Sequence, residues 1–221
     1  MIRLLILDFD GTLGDTRANI VLTMRQTLER FGKPDPGEDA IAATIGLPLE
    51  DGFLALFPSM TRAEAQHCTD LYREIFRENR KRLVPGLFPH VRETLALLAE
   101  KGFVLSIASS RSSASLHSFL EEMQIGPYIS YILGADNVTH AKPHPEPVLR
   151  TLADLGFCPE EALVVGDMAV DIRMGKGAGA RTCGVTYGNG SREDLLAAGA
   201  DWLIDDFAAL PALVQRDAGS R

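Results

Sequence analysis

At 221 residues, 46% hydrophobic and 24% charged, the chain is long enough for one α/β domain, or a core with a small lid, and too apolar for wholesale disorder. A net charge of −8 and a pI near 5.1 argue against nucleic acid as a partner, but not against a small anion held beside a metal ion. Three scattered cysteines, Cys68, Cys158 and Cys183, match no metal-binding spacing and read as reduced thiols of a cytoplasmic protein.

The first apolar run, residues 2–7, is too short for a signal segment and stops at acidic residues. It reads as a strand buried on both faces of a parallel sheet. No stretch has the length of a membrane span. From 16 to about 83 there is no strand pattern. Helical patterns cover 16–31, 38–45, 49–57 and 61–82, punctuated by Pro34, Pro36, Pro48 and Pro58. This predicts a small helical domain, 15–84, inserted into a core made of 1–14 and 85–221. Val84-Pro85-Gly86 reads as the returning hinge. Beyond it, helical patterns at 91–101, 113–123 and 146–155 alternate with strand patterns at 104–108, 131–133, 162–165, 182–186 and, more weakly, 201–204. Gly102 sits where a helix C-terminus needs a glycine. The alternation predicts a Rossmann-like, doubly wound parallel sheet. The polar tail 215–221 is expected to fray.

Four groups of chemistry-bearing residues fall at strand ends or in adjoining loops, where open α/β sheets bind ligands. Asp8-Phe9-Asp10-Gly11-Thr12-Leu13 places two acids and a glycine after the first strand, and Gly11 could turn tightly and leave an amide facing an anion. Ser109-Ser110 follows the strand at 104–108 and could hold a phosphoryl oxygen. Lys142, between Ala141 and Pro143-His144-Pro145, is a cation on a stiff loop, suited to a phosphate and a carboxylate. Gly166-Asp167 and Asp171 put two carboxylates on one side of a helix start, a hard-oxygen set that suits Mg²⁺. Each group alone also has a plain structural reading: acids and serines end strands, Asp favours helix starts, and lone lysines are solvated. His140 and His144 are four apart, but the prolines around them forbid a helix, which argues against a metal site there. His67, His90 and His117 sit in helical patterns and read as surface or cap residues.

Together, and in this order, the four groups resemble the motifs of the haloacid dehalogenase superfamily, over nearly the whole chain, with the helical insertion in the place of its cap. Gly11-Thr12-Leu13-Gly14-Asp15-Thr16, Gly184-Val185-Thr186-Tyr187-Gly188 and Leu195 through Ala200-Asp201 look like the phosphoglycolate phosphatase-like members, and Asp15-Thr16 resembles the β-phosphoglucomutase-like ones too. The resemblance implies a Mg²⁺-dependent phosphatase acting on a small phosphorylated metabolite, with Asp8 as covalent nucleophile and Asp10 as acid and base. It implies that Mg²⁺ is held by the Asp8 and Asp167 carboxylates and the Asp10 main-chain carbonyl. It further implies that Gly11, Ser109, Ser110 and Lys142 hold the phosphoryl group, and that Asp171 binds a metal water or orients Lys142.

Within that superfamily, Asp10 argues against a dehalogenase, which needs no acid for a leaving alkoxide. Mutases carry a His five residues after the acid matching Asp15, where this chain has Ile20. Lys33 shows no sign of the desolvation that a Schiff-base phosphonate hydrolase requires. A mutase or phosphotransferase, and a non-catalytic binder of phosphorylated metabolites, stay as alternatives. Met168 stands where many relatives have a small hydroxyl residue. The segment Ile45-Gly46-Leu47-Pro48-Leu49 is expected to face the site without an arginine, which leaves Arg17, Lys33 or Arg111 for a second anionic group and counts against phosphoglycolate itself. Phe53, Leu54, Leu56 and Phe57 read as core of the insertion rather than a dimer contact, with a monomer or homodimer both open.

Overall fold

The computed structural model describes residues 1–216. Six strands form one parallel sheet: β1 (Leu4–Leu7), β4 (Val104–Ala108), β5 (Tyr131–Leu133), β6 (Ala162–Gly166), β7 (Arg181–Val185) and β8 (Trp202–Ile204), in the order β5-β4-β1-β6-β7-β8. Strand β1 lies between β4 and β6, with Leu4 opposite Val104 on one side and Ala162 on the other. The chain winds outward in both directions from β1, so the crevice at the carboxyl ends of β1, β4 and β6 is the switch point of the sheet.

The near-continuous apolar runs have the origin expected of them: both faces are covered. Leu5 and Leu7 of β1 join Leu105, Ile107, Leu163 and Val165 in one buried cluster. Leu4 and Ile6, pointing the other way, join Val148, Leu152, Val164 and Met174 in a second. Helices α5 (Val91–Glu100), α6 (Ser113–Glu122), α7 (Glu146–Leu155) and α8 (Ala169–Gly177) alternate with the strands. The doubly wound α/β class is therefore the observed one. Gly102 has φ +82°, as a helix-ending glycine should.

Between β1 and β4 the chain builds α1 (Arg17–Arg30), α2 (Glu38–Ala42), α3 (Leu49–Leu56) and α4 (Arg62–Arg80). Helix α4 starts in a capping box: the Glu64 amide donates to the Thr61 hydroxyl at 3.3 Å, and the Thr61 amide donates to the Glu64 carboxylate at 2.8 Å. Phe53 is fully buried, and Leu54, Leu56 and Phe57 pack against the same cluster, so these residues serve the core.

Three features differ from the sequence reading. The two crossings into and out of the helical insertion are stitched together as an antiparallel pair, β2 (Gly14–Asp15) with β3 (Gly86–Leu87), so Gly86 is paired rather than loose. Two-residue strands are too short to show a period. Helices α9 (Arg192–Ala197) and α10 (Leu210–Arg216) carry no prior expectation, and α10 takes in the first two residues of the segment expected to fray. The remainder of that segment, 217–221, lies outside the described residues. Among the described residues no helix is long and apolar enough to cross a membrane.

Candidate active site

Each strand-end residue is delivered by the sheet. Asp8 directly follows β1, its amide held by the Val165 carbonyl at 2.9 Å; Ser109 follows β4 and Asp167 follows β6. Lys142 reaches in from the loop before α7 and bridges Asp8 and Asp171, donating at 2.6 Å to each. Asp171 in turn accepts from the Met168 amide at 3.0 Å, which fixes its carboxylate at the start of α8. Asp8, Asp167, Asp171 and Lys142 are all buried.

The carboxylate oxygens of Asp8, Asp167 and Asp171 lie within 4.8 Å of one another. Three buried carboxylates face one ammonium, an imbalance that desolvation makes costly. The electrostatics express it. Burial pushes the Asp8 carboxyl up, against the pull of Lys142, and its acidic neighbours push it further. Burial and Asp171 push Asp167 up to about 7 although three hydrogen bonds oppose them. Burial pulls the Lys142 ammonium down, but Asp171 and Asp8 more than offset it and keep the group charged. An all-oxygen set with surplus negative charge fits a hard divalent cation.

Asp167 is wrapped by residues the motif reading did not assign. The Thr12 hydroxyl donates to it at 3.1 Å, and Asn189 donates its amide at 2.7 Å and its side-chain nitrogen at 3.1 Å. The flanking glycines allow this approach, since a Cβ on Gly188 would lie 2.3 Å from the Asp167 Cβ and one on Gly190 2.2 Å from its carbonyl oxygen. Tyr187 donates to the Thr12 carbonyl at 2.8 Å and ties that loop to the first motif.

Two expected phosphate contacts are differently employed. The Gly11 amide does not face an anion: it donates to the Gly14 carbonyl at 3.0 Å. Glycine is required there because a Cβ would lie 2.1 Å from the Asp167 Oδ2, at φ +82°. The Ser110 hydroxyl donates to the Gly46 carbonyl at 2.5 Å and so joins the insertion to the sheet edge. Ser109 is buried, and its hydroxyl accepts from the Arg111 amide at 3.3 Å.

Asp10 has partners outside the acidic group. Its carboxylate accepts from the Thr16 hydroxyl at 2.5 Å and from Arg111 Nε at 2.7 and 2.9 Å. The Arg111 guanidinium is itself held between Phe76 of α4, 4.9 Å away, and Phe119 of α6, 4.7 Å away. Asp10 opens onto a cavity of about 720 Å³ between the insertion and the sheet edge. Ile45, Gly46, Leu47, Pro48 and Leu49 all line it, as the sequence predicts. Of the three cations suggested for a second anionic group, only Arg111 lines it; Arg17 pairs with Glu38 and Asp39, and Lys33 lies over Phe57. Arg73, Arg77 and Arg80 on α4 line it as well, a helix-spaced set the sequence reading passed over.

A family model of haloacid dehalogenase-like hydrolases matches residues 5–185, most of the chain. The chain belongs to the haloacid dehalogenase-like hydrolases. It is 40% identical over 209 residues to "Probable phosphatase IndB" of Dickeya dadantii, covering 93% of this chain and 90% of that one. It is 30% identical over 220 residues to "Phosphoglycolate phosphatase" of Haemophilus influenzae, covering 96% and 98%. A haloacid dehalogenase-like hydrolase from Bacteroides fragilis superposes with a TM-score of 0.86 at 30% identity, over 95% of this chain and all of that one. This haloacid dehalogenase-like chain is accordingly an enzyme of the phosphatase kind.

Proposed function

We propose that the enzyme is a Mg²⁺-dependent phosphatase that hydrolyses small phosphate monoesters, phosphoglycolate or sugar-phosphate-like, through an aspartyl-phosphate on Asp8. The observation that carries this reading is the buried Asp8, Asp167, Asp171 and Lys142 set, with Asp10 beside it opening onto a cavity of about 720 Å³. That volume is within the ordinary range of small-molecule sites, about 300–1,000 Å³.

Asp8 attacks phosphorus in line, and the bond to the leaving oxygen breaks. Asp10 gives that oxygen a proton, then takes one from the water that cleaves the mixed anhydride. Lys142, held by Asp8 and Asp171, neutralises phosphoryl oxygen charge, and Ser109 contributes a hydroxyl. Asp8, Asp167 and the Asp10 main-chain carbonyl would hold Mg²⁺, which supplies charge neutralisation on the phosphoryl group when bound. The residues 15–84 would act as a cap that excludes bulk water. Arg73, Arg77, Arg80 and Arg111 line the cavity; Arg111 is paired with Asp10, Arg80 with Glu122 and Arg73 with Asp70, so a second anionic group of the substrate would meet Arg77 first and compete for the others. We place the enzyme in the cytoplasm, on the ground that Cys68, Cys158 and Cys183 are free thiols.

Hydrolysis of p-nitrophenyl phosphate tests this. Turnover should require Mg²⁺, stop with EDTA, and fall by at least about 10³-fold in Asp8→Asn, because a covalent nucleophile has no substitute. Turnover that survives both treatments contradicts the reading.

A further inference from the structure

The loop that sends Lys142 inward turns other side chains outward. The rings of His140 and His144 stack, with centroids 4.5 Å apart and an interplanar angle of 29°. Both rings present Nδ1 to Glu146, the first residue of α7. His140 Nδ1 is 2.8 Å from the Glu146 carboxylate, and His144 Nδ1 accepts from the Glu146 amide at 3.1 Å. The Glu146 carboxylate is itself fixed by the amides of Thr139 at 2.7 Å and His140 at 2.8 Å. The sequence argument against a pairing of these histidines assumed that only a helix could bring residues four apart together. A folded loop does the same, and Pro143 and Pro145 stiffen it.

We propose that His140, His144 and Glu146 form a second metal site, distinct from the aspartate cluster, for a divalent transition cation of the zinc type. One ligand atom from each of the three lies within 4.8 Å of the others. Zinc bound at about 2.0–2.2 Å needs tetrahedral ligands roughly 3.4 Å apart, a closure that exposed imidazoles reach by rotation. Two imidazoles and one carboxylate favour such ions over Mg²⁺, which prefers oxygen alone. The cation would take the place of the proton between His140 and Glu146, His140 keeping its proton on Nε2. Both histidines are exposed, which leaves room for water in the remaining coordination position. The Glu146 carboxylate is already oriented beside the rings by the Thr139 and His140 amides. Occupancy would clasp the loop on either side of Lys142.

The test is a calorimetric titration with Zn²⁺ alone as probe, in excess Mg²⁺ so that the aspartate cluster does not compete. One Zn²⁺ should bind, and affinity should fall by at least about tenfold in His140→Ala and in His144→Ala, a loss expected even of a ligand's outer partner. In the unaltered protein the ring-proton NMR signals of His140 and His144 should shift with Zn²⁺, while those of His67, His90 and His117 stay in place. Zn²⁺ affinity unchanged by either substitution, or His140 and His144 signals that do not move, would overturn the proposal.

Discussion

Gly11 shows how a single residue can have a second reason to be glycine beside the one its motif suggests. The acid-any-acid-glycine spacing marks a turn after a strand, and a glycine amide facing an anion is the natural expectation. The amide is instead spent on Gly14, and the missing Cβ lets the turn lie against Asp167 and Asn189. Gly11→Ala should therefore displace Asp167 itself. We expect a loss of stability of about 1–2 kcal/mol from the left-handed backbone alone, measured by urea denaturation, together with a rise in the Mg²⁺ concentration needed for half-maximal activity. A variant with unchanged Mg²⁺ dependence would show that the close approach to Asp167 has no bearing on the metal. Asp8, Lys142 and Asp171 were legible because their residue types are rare in buried settings and each follows or precedes an element with a clear pattern. Asn189 was not, because an Asn between glycines is first of all a turn, and only the fold brings it to Asp167.

At the scale of elements, hydrophobic period located what burial controls and missed what pairing controls. Helices α1, α3, α4 and α7 and strands β4 and β5 were found close to their observed limits, since each has one face or two faces in the core. The β2–β3 pair has two residues a side and no burial pattern to read. Helix α9 is six residues long and α10 seven, each below the length at which a helical period separates from chance. Helix α4 starts at the capping box of Thr61 and Glu64, which the structure shows. Thr61→Ala removes one half of that capping box and should cost about 1 kcal/mol in equilibrium denaturation. The same helix carries Phe76 against Arg111, which holds Asp10, so the insertion reaches the proposed acid–base residue through one side chain. A denaturation midpoint unmoved by Thr61→Ala would mean that α4 is fixed by packing alone.

For the whole molecule, the order of strands explains why residues from four distant segments converge. Strand β1 lies at the centre, and its two neighbours begin the two halves of the sheet, so the ends of β1, β4 and β6 face one crevice. The helical insertion leaves and rejoins the chain beside that crevice, and the cavity forms between them. The spacing of motifs made this convergence legible. The lining of the cavity was half legible: the 45–49 loop was expected there, whereas Arg73, Arg77 and Arg80 depend on which face α4 turns inward. The account as a whole stands on Asp8 receiving the phosphoryl group. The direct measurement is an acid quench of the Asp10→Asn variant during turnover of p-nitrophenyl phosphate, whose leaving group departs without the proton that Asp10 gives, followed by peptide mass analysis. Without the base that activates water, the intermediate should accumulate, adding the mass of one phosphoryl group to the peptide that contains Asp8, and Asp8→Asn should abolish it. A phosphoryl group found on another residue, or on none while phosphate is still released, would contradict the account.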